Sequence, residues 1–330
     1  MARSLFRIIL QVIRGTTEVL RSDMLFGHFC WALADLRGEG ALQEFLATCQ
    51  GPNPGVVFSD AFPGDTLPRP DFPFFMQQSG DIDRDRLLQL AREAKRFRSL
   101  HYLPKSVVLQ ILKGEQLELE GLEGGGFTTY VTQHVSMDRR NNRALDGALY
   151  SLREVRPQAG FLTVYVSVLP AWQEIFEKTL DYMVDQGIGG SRSIGRGRFE
   201  ITSISLDSSF ENVAQPNAFM SLSAFVPARN DPTDGWYRLG LKRGVAGRGF
   251  EPVQTRFSLF GTRSDVSNTR PTSAGVWQVD PQYSSFRFSC CAVGVRLGRS
   301  RATACSLKRI GELRCWLLPC RRSWLSDGSR

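Results

Sequence analysis

Histidine is scarce in this chain: His28, His101 and His134 are the three it has. No Ser-His-Asp set, HExxH helix or EF-hand loop is present, which removes the common hydrolytic and metal-dependent chemistries. Long apolar runs are missing too. No stretch of eighteen apolar residues occurs, and Arg3, Arg7 and Arg14 interrupt the first fourteen positions, so the sequence supports neither a membrane span nor a secretory signal. The expected location is cytoplasmic. Cysteine is sparse outside the final segment, where Cys290, Cys291, Cys305, Cys315 and Cys320 cluster without zinc-site spacing and without a nearby histidine. No metal and no other cofactor is expected. Cys30 and Cys49 fall in apparent helix, where cysteine acts as a small apolar filler.

What is abundant is arginine, and its distribution decides what it means. The net charge of +8 resides wholly in residues 283 to 330, which hold ten Lys or Arg against two acidic residues, so residues 1 to 282 balance at zero. This tail lacks a sustained helical or strand period and resembles the product of translation in another reading frame. The electrostatic case for a partner therefore rests on local patches rather than on the overall charge.

The sharpest patch is GIGGSRSIGRGRFEI, Gly187 to Ile201. Gly190 and Gly195 have P-loop spacing, but Arg196 and Gly197 stand where Lys and Ser or Thr belong. A dinucleotide fingerprint from Gly187 meets Arg192 at its third glycine, and one from Gly195 meets Glu200. Both motifs also require strand, loop, helix. Here Trp172, Ile175, Phe176, Leu180, Met183 and Val184 recur at helical spacing before the loop, and Arg198 to Leu206 reads as a strand after it. Bare backbone permits close approach while Arg192, Arg196 and Arg198 offer planar forks to phosphate oxygens, so a polyanion lying across the loop fits. The bland alternative is a surface turn with solvated arginines.

Along the rest of the chain, Ser4 to Ile13 reads as a strand covered on both faces, and Ser22 as the N-cap of a helix through Leu36, with a second helix over Gly40 to Cys49. Gly51 to Pro73, rich in Pro, Gly and Asp, predicts an irregular surface connection. Asp83 to Leu112 predicts a helical pair interrupted at Pro104, with Asp81 and Asp83 as a helix start. Strands are expected at Phe127 to Val135, Phe161 to Leu169, Ala218 to Val226, Trp236 to Leu241 and Val253 to Phe260. The pattern is α+β, and two ferredoxin-like (RRM-like) halves would satisfy it: residues 1–126 with a helical insertion, and 127–282 with the glycine loop, followed by the tail 283–330. The RRM stacking signature starts at Arg248-Gly249-Phe250 and is spoiled by Glu251 and Pro252, so any RNA would be held by loops. Two further patches repeat the theme of arginine at strand ends: Met137 to Arg143, and Tyr237 to Phe250 with Lys242, Arg243 and Arg248.

Several segments together resemble the RAMP subunit of type III-A CRISPR effectors that sits at the crRNA 5′ end, the fourth Csm subunit, a relative of the Cas-five family. These are RSDMLFGHFCWAL at 21–33, FSDAFPGDTLPRP at 58–70, HVSMDRRNNRALDGALYSLREV at 134–155 and GGSRSIGRGRFEI at 189–201, and the likeness runs from about Phe6 to Val279. The resemblance implies a RAMP fold and a non-catalytic subunit that cradles the crRNA 5′ handle, contacts the large cyclase and nuclease subunit, and adjoins a backbone RAMP subunit. Carried over residue by residue, it implies an RNA cradle at Gly189, Gly190, Ser191, Arg192, Ser193, Gly195, Arg196, Gly197 and Arg198, with Asp138 and Arg139 as a strand-end pair. Lys242, Arg243 and Arg248 join on charge alone. The sequence departs from the family at its end, where no closing strand is evident after Tyr283. The competing reading is a metal-independent crRNA-processing endoribonuclease with His28, near a strand-helix junction, as general base. A plain protein scaffold is the third.

Overall fold

In the computed structural model, the described residues are 3–50, 53–70, 83–113, 115, 121–210, 219–223, 238–243, 257–262 and 294–296. The chain opens with strand β1 (Ser4–Arg14) and helix α1 (Ser22–Gln50), which is broken at Gly38, where φ is 82° and ψ 173°. Three short strands follow, β2 (Val56–Phe58), β3 (Phe62–Pro63) and β4 (Thr66–Pro68), then α2 (Arg84–Ser99), β5 (Tyr102–Pro104) and α3 (Lys105–Lys113). A long hairpin, β6 (Phe127–Asp138) and β7 (Arg143–Pro157), leads into β8 (Phe161–Val168), α4 (Gln173–Asp185) and β9 (Arg198–Leu206). The remaining described strands are β10 (Phe219–Ser221), β11 (Arg238–Arg243), β12 (Phe257–Thr262) and β13 (Gly294–Arg296).

The central sheet has the order β2-β8-β1-β9, with β3 also on β8. β1 runs antiparallel to both β8 and β9, and β2 antiparallel to β8, so β1–α1–β2 and β8–α4–β9 are two βαβ crossovers interleaved in one sheet. That is the ferredoxin-like order, and it crosses the boundary expected at Gly126: β1 pairs with β8 and β9 across the chain, from Gln11 with Phe161 to Phe6 with Leu206. One ferredoxin-like unit is thus assembled from both ends of the region, with residues 59–160 inserted. Among the described residues a second such unit does not form, and the outer strands pair two by two, β4 with β5, β6 with β7, β10 with β13 and β11 with β12. β13 lies inside the segment assigned to the atypical tail and supplies a strand where none was expected.

Alternation in β1 does what the pattern requires. Phe6, Ile8 and Leu10 face α1 and α4, together with Val164, Val166 and Val168 from β8. Phe29 sits at the centre of this layer, fully buried, with ring centroids 5.3 Å from Phe45, 5.4 Å from Phe58 and 6.0 Å from Phe176. The opposite sheet face is covered as well: Tyr165 packs with Phe62, Tyr102, Leu103, Val108, Ile111, Phe210 and Met220. The inserted segments therefore occupy the face on which an RRM would stack bases.

Two local expectations are corrected. Of the stretch expected to be a surface connection, residues 53–70 are described, and they are not one, because Val56, Val57, Phe58, Ala61, Phe62 and Leu67 are buried and pair or pack against the sheet; Pro63 and Pro68 end strands that are only two or three residues long. Ser22 is not the cap of α1. It is the first helical residue, Leu25 N–H donates to the Arg21 carbonyl, and the Ser22 N–H donates to Asp60 Oδ1 at 2.8 Å, so the helix start is capped from the SDAFP segment 38 residues on. Asp83 does cap α2, accepting the Arg84 N–H at 2.7 Å. Asp81 lies outside the described residues. No helix among the described residues is long and apolar enough to cross a membrane.

Candidate nucleic-acid interface

α4 stops where its sequence says it should. Gln186 is the last right-handed residue, Gly187 takes φ of 78°, and its N–H donates to the Val184 carbonyl. The chain then doubles back on itself. Ile188 N–H donates to the Gly197 carbonyl at 2.9 Å, and Gly197 N–H donates to the Gly15 carbonyl at 3.0 Å, at the end of β1. This crossing is why glycine occupies the root: a Cβ on Gly197 would lie 2.0 Å from the Ile188 carbonyl oxygen, and one on Gly187 2.9 Å from the Gly197 carbonyl oxygen. The loop therefore divides into a buried root and an exposed rim.

Arg196 belongs to the root, which corrects its assignment as an outward phosphate fork. Its side chain is 7% exposed, Nη1 donates to Glu154 Oε2 at 2.9 Å and Nη2 to Thr132 Oγ1 at 2.7 Å. Glu154 Oε1 in turn accepts the Gly15 N–H at 3.0 Å and Arg156 Nε. Burial opposes ionisation of Glu154, but the hydrogen bonds from Arg156 and Gly15 and the charges of Arg156 and Arg196 outweigh it and hold the carboxyl below its ordinary range. Thr16 closes the junction by exchanging backbone hydrogen bonds with Val155. Gly197 is likewise structural, and the Arg196 guanidinium, 7% exposed and turned onto a carboxylate and a hydroxyl, is not displayed to a ligand at the surface.

The rim runs from Gly189 to Gly195. Gly190, Ser193, Ile194 and Gly195 are exposed, and Ser191 and Arg192 half-buried. Ser191 adopts left-handed φ and ψ of 61° and 27°, and a single 3-10 turn follows, closed by Ile194 N–H to Ser191 and Gly195 N–H to Arg192. Among the described residues, the N–H groups of Gly190, Ser191 and Ser193 donate to no protein acceptor. Alternating handedness that leaves neighbouring amides unpaired makes a concave positive surface suited to anionic oxygen. Thr17 Oγ1 lies beside it, 3.0 Å from where a Gly190 Cβ would be. Arg192 Nη1 reaches the Gly187 carbonyl at 3.3 Å, and Arg198, exposed, donates to the Asp185 carbonyl at 2.9 Å.

Asp138 and Arg139 do not join this rim. Asp138 shapes the hairpin tip: Oδ1 accepts the Arg140 N–H at 2.9 Å, Oδ2 accepts Asn141 Nδ2 at 2.8 Å, and Asn142 takes φ of 50°. Arg139 beside it is exposed. Six residues of strand separate this tip from the Thr132 contact with Arg196, roughly 20 Å at strand rise. Lys242 and Arg243 lie in β11, of which only the backbone is described, and Arg248 is outside the described residues. β7 itself was missed by the sequence reading, because exposed Leu149 and Tyr150 and the interspersed charges obscure its alternation.

His28, the general base of the competing endoribonuclease reading, lies at the rim. Its Nε2 accepts the Gly189 N–H at 2.9 Å, which fixes the ring as the neutral Nδ1–H tautomer. Burial, then the charge of Arg192, lowers its pKa to about 4. The sequence signals for the surroundings were the GTT that ends β1 and the histidine one turn into α1, neither of which names the loop as its partner. Among the described residues, no group of three or more His, Cys, Asp or Glu converges on a metal-sized space.

No family model matches the chain, and no curated protein matches its sequence. Solved structures do match. The chain is similar to one in the crystal structure of the Csm3-Csm4 subcomplex in the type III-A CRISPR-Cas interference complex, at TM-score 0.55 and 14% identity over 90% of this chain and 100% of that one. It is equally similar to one in the Csm1-Csm4 cassette in complex with pppApApA, at TM-score 0.54 and 14% identity over 90% and 100%. The fold is that of a subunit of type III-A CRISPR assemblies. The motif resemblance in the sequence and this likeness point to the same type III-A assemblies.

Proposed function

We propose that this chain is a non-catalytic RNA-binding subunit of a type III-A CRISPR effector, holding the crRNA 5′ handle on the glycine rim. It docks, in this reading, to the large cyclase and nuclease subunit and to the adjacent backbone RAMP subunit. The observation that carries it is the coincidence of a Csm4-like fold with a rim whose Gly190, Ser191 and Ser193 amides meet no protein acceptor among the described residues, next to Arg192. Backbone N–H groups grip phosphate oxygens irrespective of base, and an RNA held this way is positioned rather than cut. The names of the neighbouring structures, Csm3-Csm4 and Csm1-Csm4, support contacts with two kinds of subunit.

The endoribonuclease reading needs His28 as a free base near neutral pH. Its Nε2 lone pair is already engaged by Gly189 and its pKa lies near 4, which favours the binding subunit. Purification of the full chain from cells carrying its partners, with a high-salt wash, is expected to recover guide-sized RNA and a large partner. Recovery of protein without RNA would favour the scaffold, and metal-free cleavage of labelled repeat RNA that disappears in His28→Ala would favour the enzyme.

A further inference from the structure

The rim is tied to the body unevenly. Its root is held by the Ile188–Gly197 and Gly197–Gly15 hydrogen bonds and by Arg196 on Glu154. In its first half, the ring of His28 reaches in from outside the loop across 161 positions to the Gly189 N–H. Gly189 sits at φ of +100°, a conformation from which glycine can leave at little steric cost, so local sequence does not hold the peptide in place. The next N–H groups along the chain are those of Gly190 and Ser191, which lack protein acceptors among the described residues.

We propose that His28 is a positioning residue for RNA: its Nε2 pins the Gly189 peptide and so aims the Gly190 and Ser191 amides at a phosphate. This rests on the reading of the rim as an RNA cradle. The chemistry is specific. The group must accept a hydrogen bond at the Nε2 position, must be uncharged so as not to oppose the neighbouring Arg192, and must be rigid enough that the anchor does not follow the loop. A neutral imidazole on the first helix, itself capped by Asp60, meets all three. Glutamine places an amide oxygen near the Nε2 position and retains the acceptor, whereas phenylalanine retains the volume and loses it.

The test uses the full chain with two readouts, amide exchange of the 187–197 peptide and affinity for a guide-length RNA carrying the 5′ handle. His28→Phe is expected to speed exchange in that peptide at least tenfold and to weaken RNA about tenfold with an unchanged salt slope, since no cation is lost. His28→Gln is expected to restore both to within about threefold. Exchange in the 162–168 strand serves as a fold control, with His28→Leu as the replacement should His28→Phe disturb it. Unchanged loop exchange in His28→Phe overturns the proposal, as does failure of His28→Gln to rescue. If exchange responds and Arg192→Ala weakens RNA while His28→Phe does not, positioning by His28 is wrong and the cradle stands. If exchange responds and neither variant affects RNA, the cradle reading itself fails and the proposal falls with it.

Discussion

Arg196 Nη1 donates to Glu154 Oε2 across 2.9 Å, joining the root of the glycine loop to a hairpin strand 42 positions earlier. Both side chains are nearly buried, and the carboxylate also takes the Gly15 N–H at the end of β1. Three segments far apart in sequence thus share one acceptor.

Removing one partner of such a buried pair leaves the other charge uncompensated. Arg196→Ala is expected to destabilise the chain by about 3 kcal/mol, measured by denaturant unfolding. An effect under 1 kcal/mol would mean that the pair is solvated in solution.

Arg192 on the half-exposed rim should behave oppositely. Arg192→Ala is expected to leave stability within about 0.5 kcal/mol and to weaken RNA by about tenfold, with the slope of log K against log salt reduced by about 0.7, the value for one single-stranded phosphate contact. An unchanged slope counts against a phosphate at this arginine.

Two glycines of the loop test root against rim. A Cβ on Gly197 would sit 2.0 Å from the Ile188 carbonyl oxygen, whereas one on Gly195 meets nothing within 4 Å. Gly197→Ala should prevent recovery of folded protein, and Gly195→Ala, strained only by its φ of +82°, should cost about 1 kcal/mol. Equal behaviour of the two in thermal melts would contradict the crossing.

His28 sets an acid limit. Its folded pKa of about 4 lies below the ordinary 6.5, so between these values the unfolded chain binds a proton that the folded chain does not, and stability falls as pH drops through this window. The partly exposed ring makes the loss on the order of 2 kcal/mol. His28→Gln should flatten that part of the pH dependence, and an identical profile in wild type and variant would remove the histidine as its source.

Much of the architecture was legible where local pattern and burial coincide. β1, α2, α3, β8, α4 and β9 announce themselves by period and by breakers, and the order of helix, glycine loop and strand follows from Trp172 to Val184 and from Arg198 to Leu206. The Gly51–Pro73 stretch was not legible. Prolines and glycines suggest exposure, yet a strand of two or three residues tolerates them at its ends while burying Phe58 and Phe62. β7 escaped because its hairpin carries Tyr130, Val131, Leu149 and Tyr150 exposed, so that apolar residues lie on both faces and no alternation marks a core.

The glycine loop shows the same division. Its composition determined that the backbone turns sharply here and that arginine stands beside bare peptide, since only glycine enters the left-handed region cheaply and no alternative nucleotide motif fits. Which arginine faces out was decided elsewhere. Arg192 and Arg196 are equivalent as letters, and Glu154, Thr132 and Gly15 draw one of them inward. The sequence by itself determined the elements and the loop's chemistry, because these follow from periodicity and from dihedral preference within a few residues. Tertiary structure alone decided the joining of β1 to β8 and β9, the capping of α1 by Asp60 and the engagement of His28 by Gly189, because each is a bond between groups that meet only after distant segments have packed.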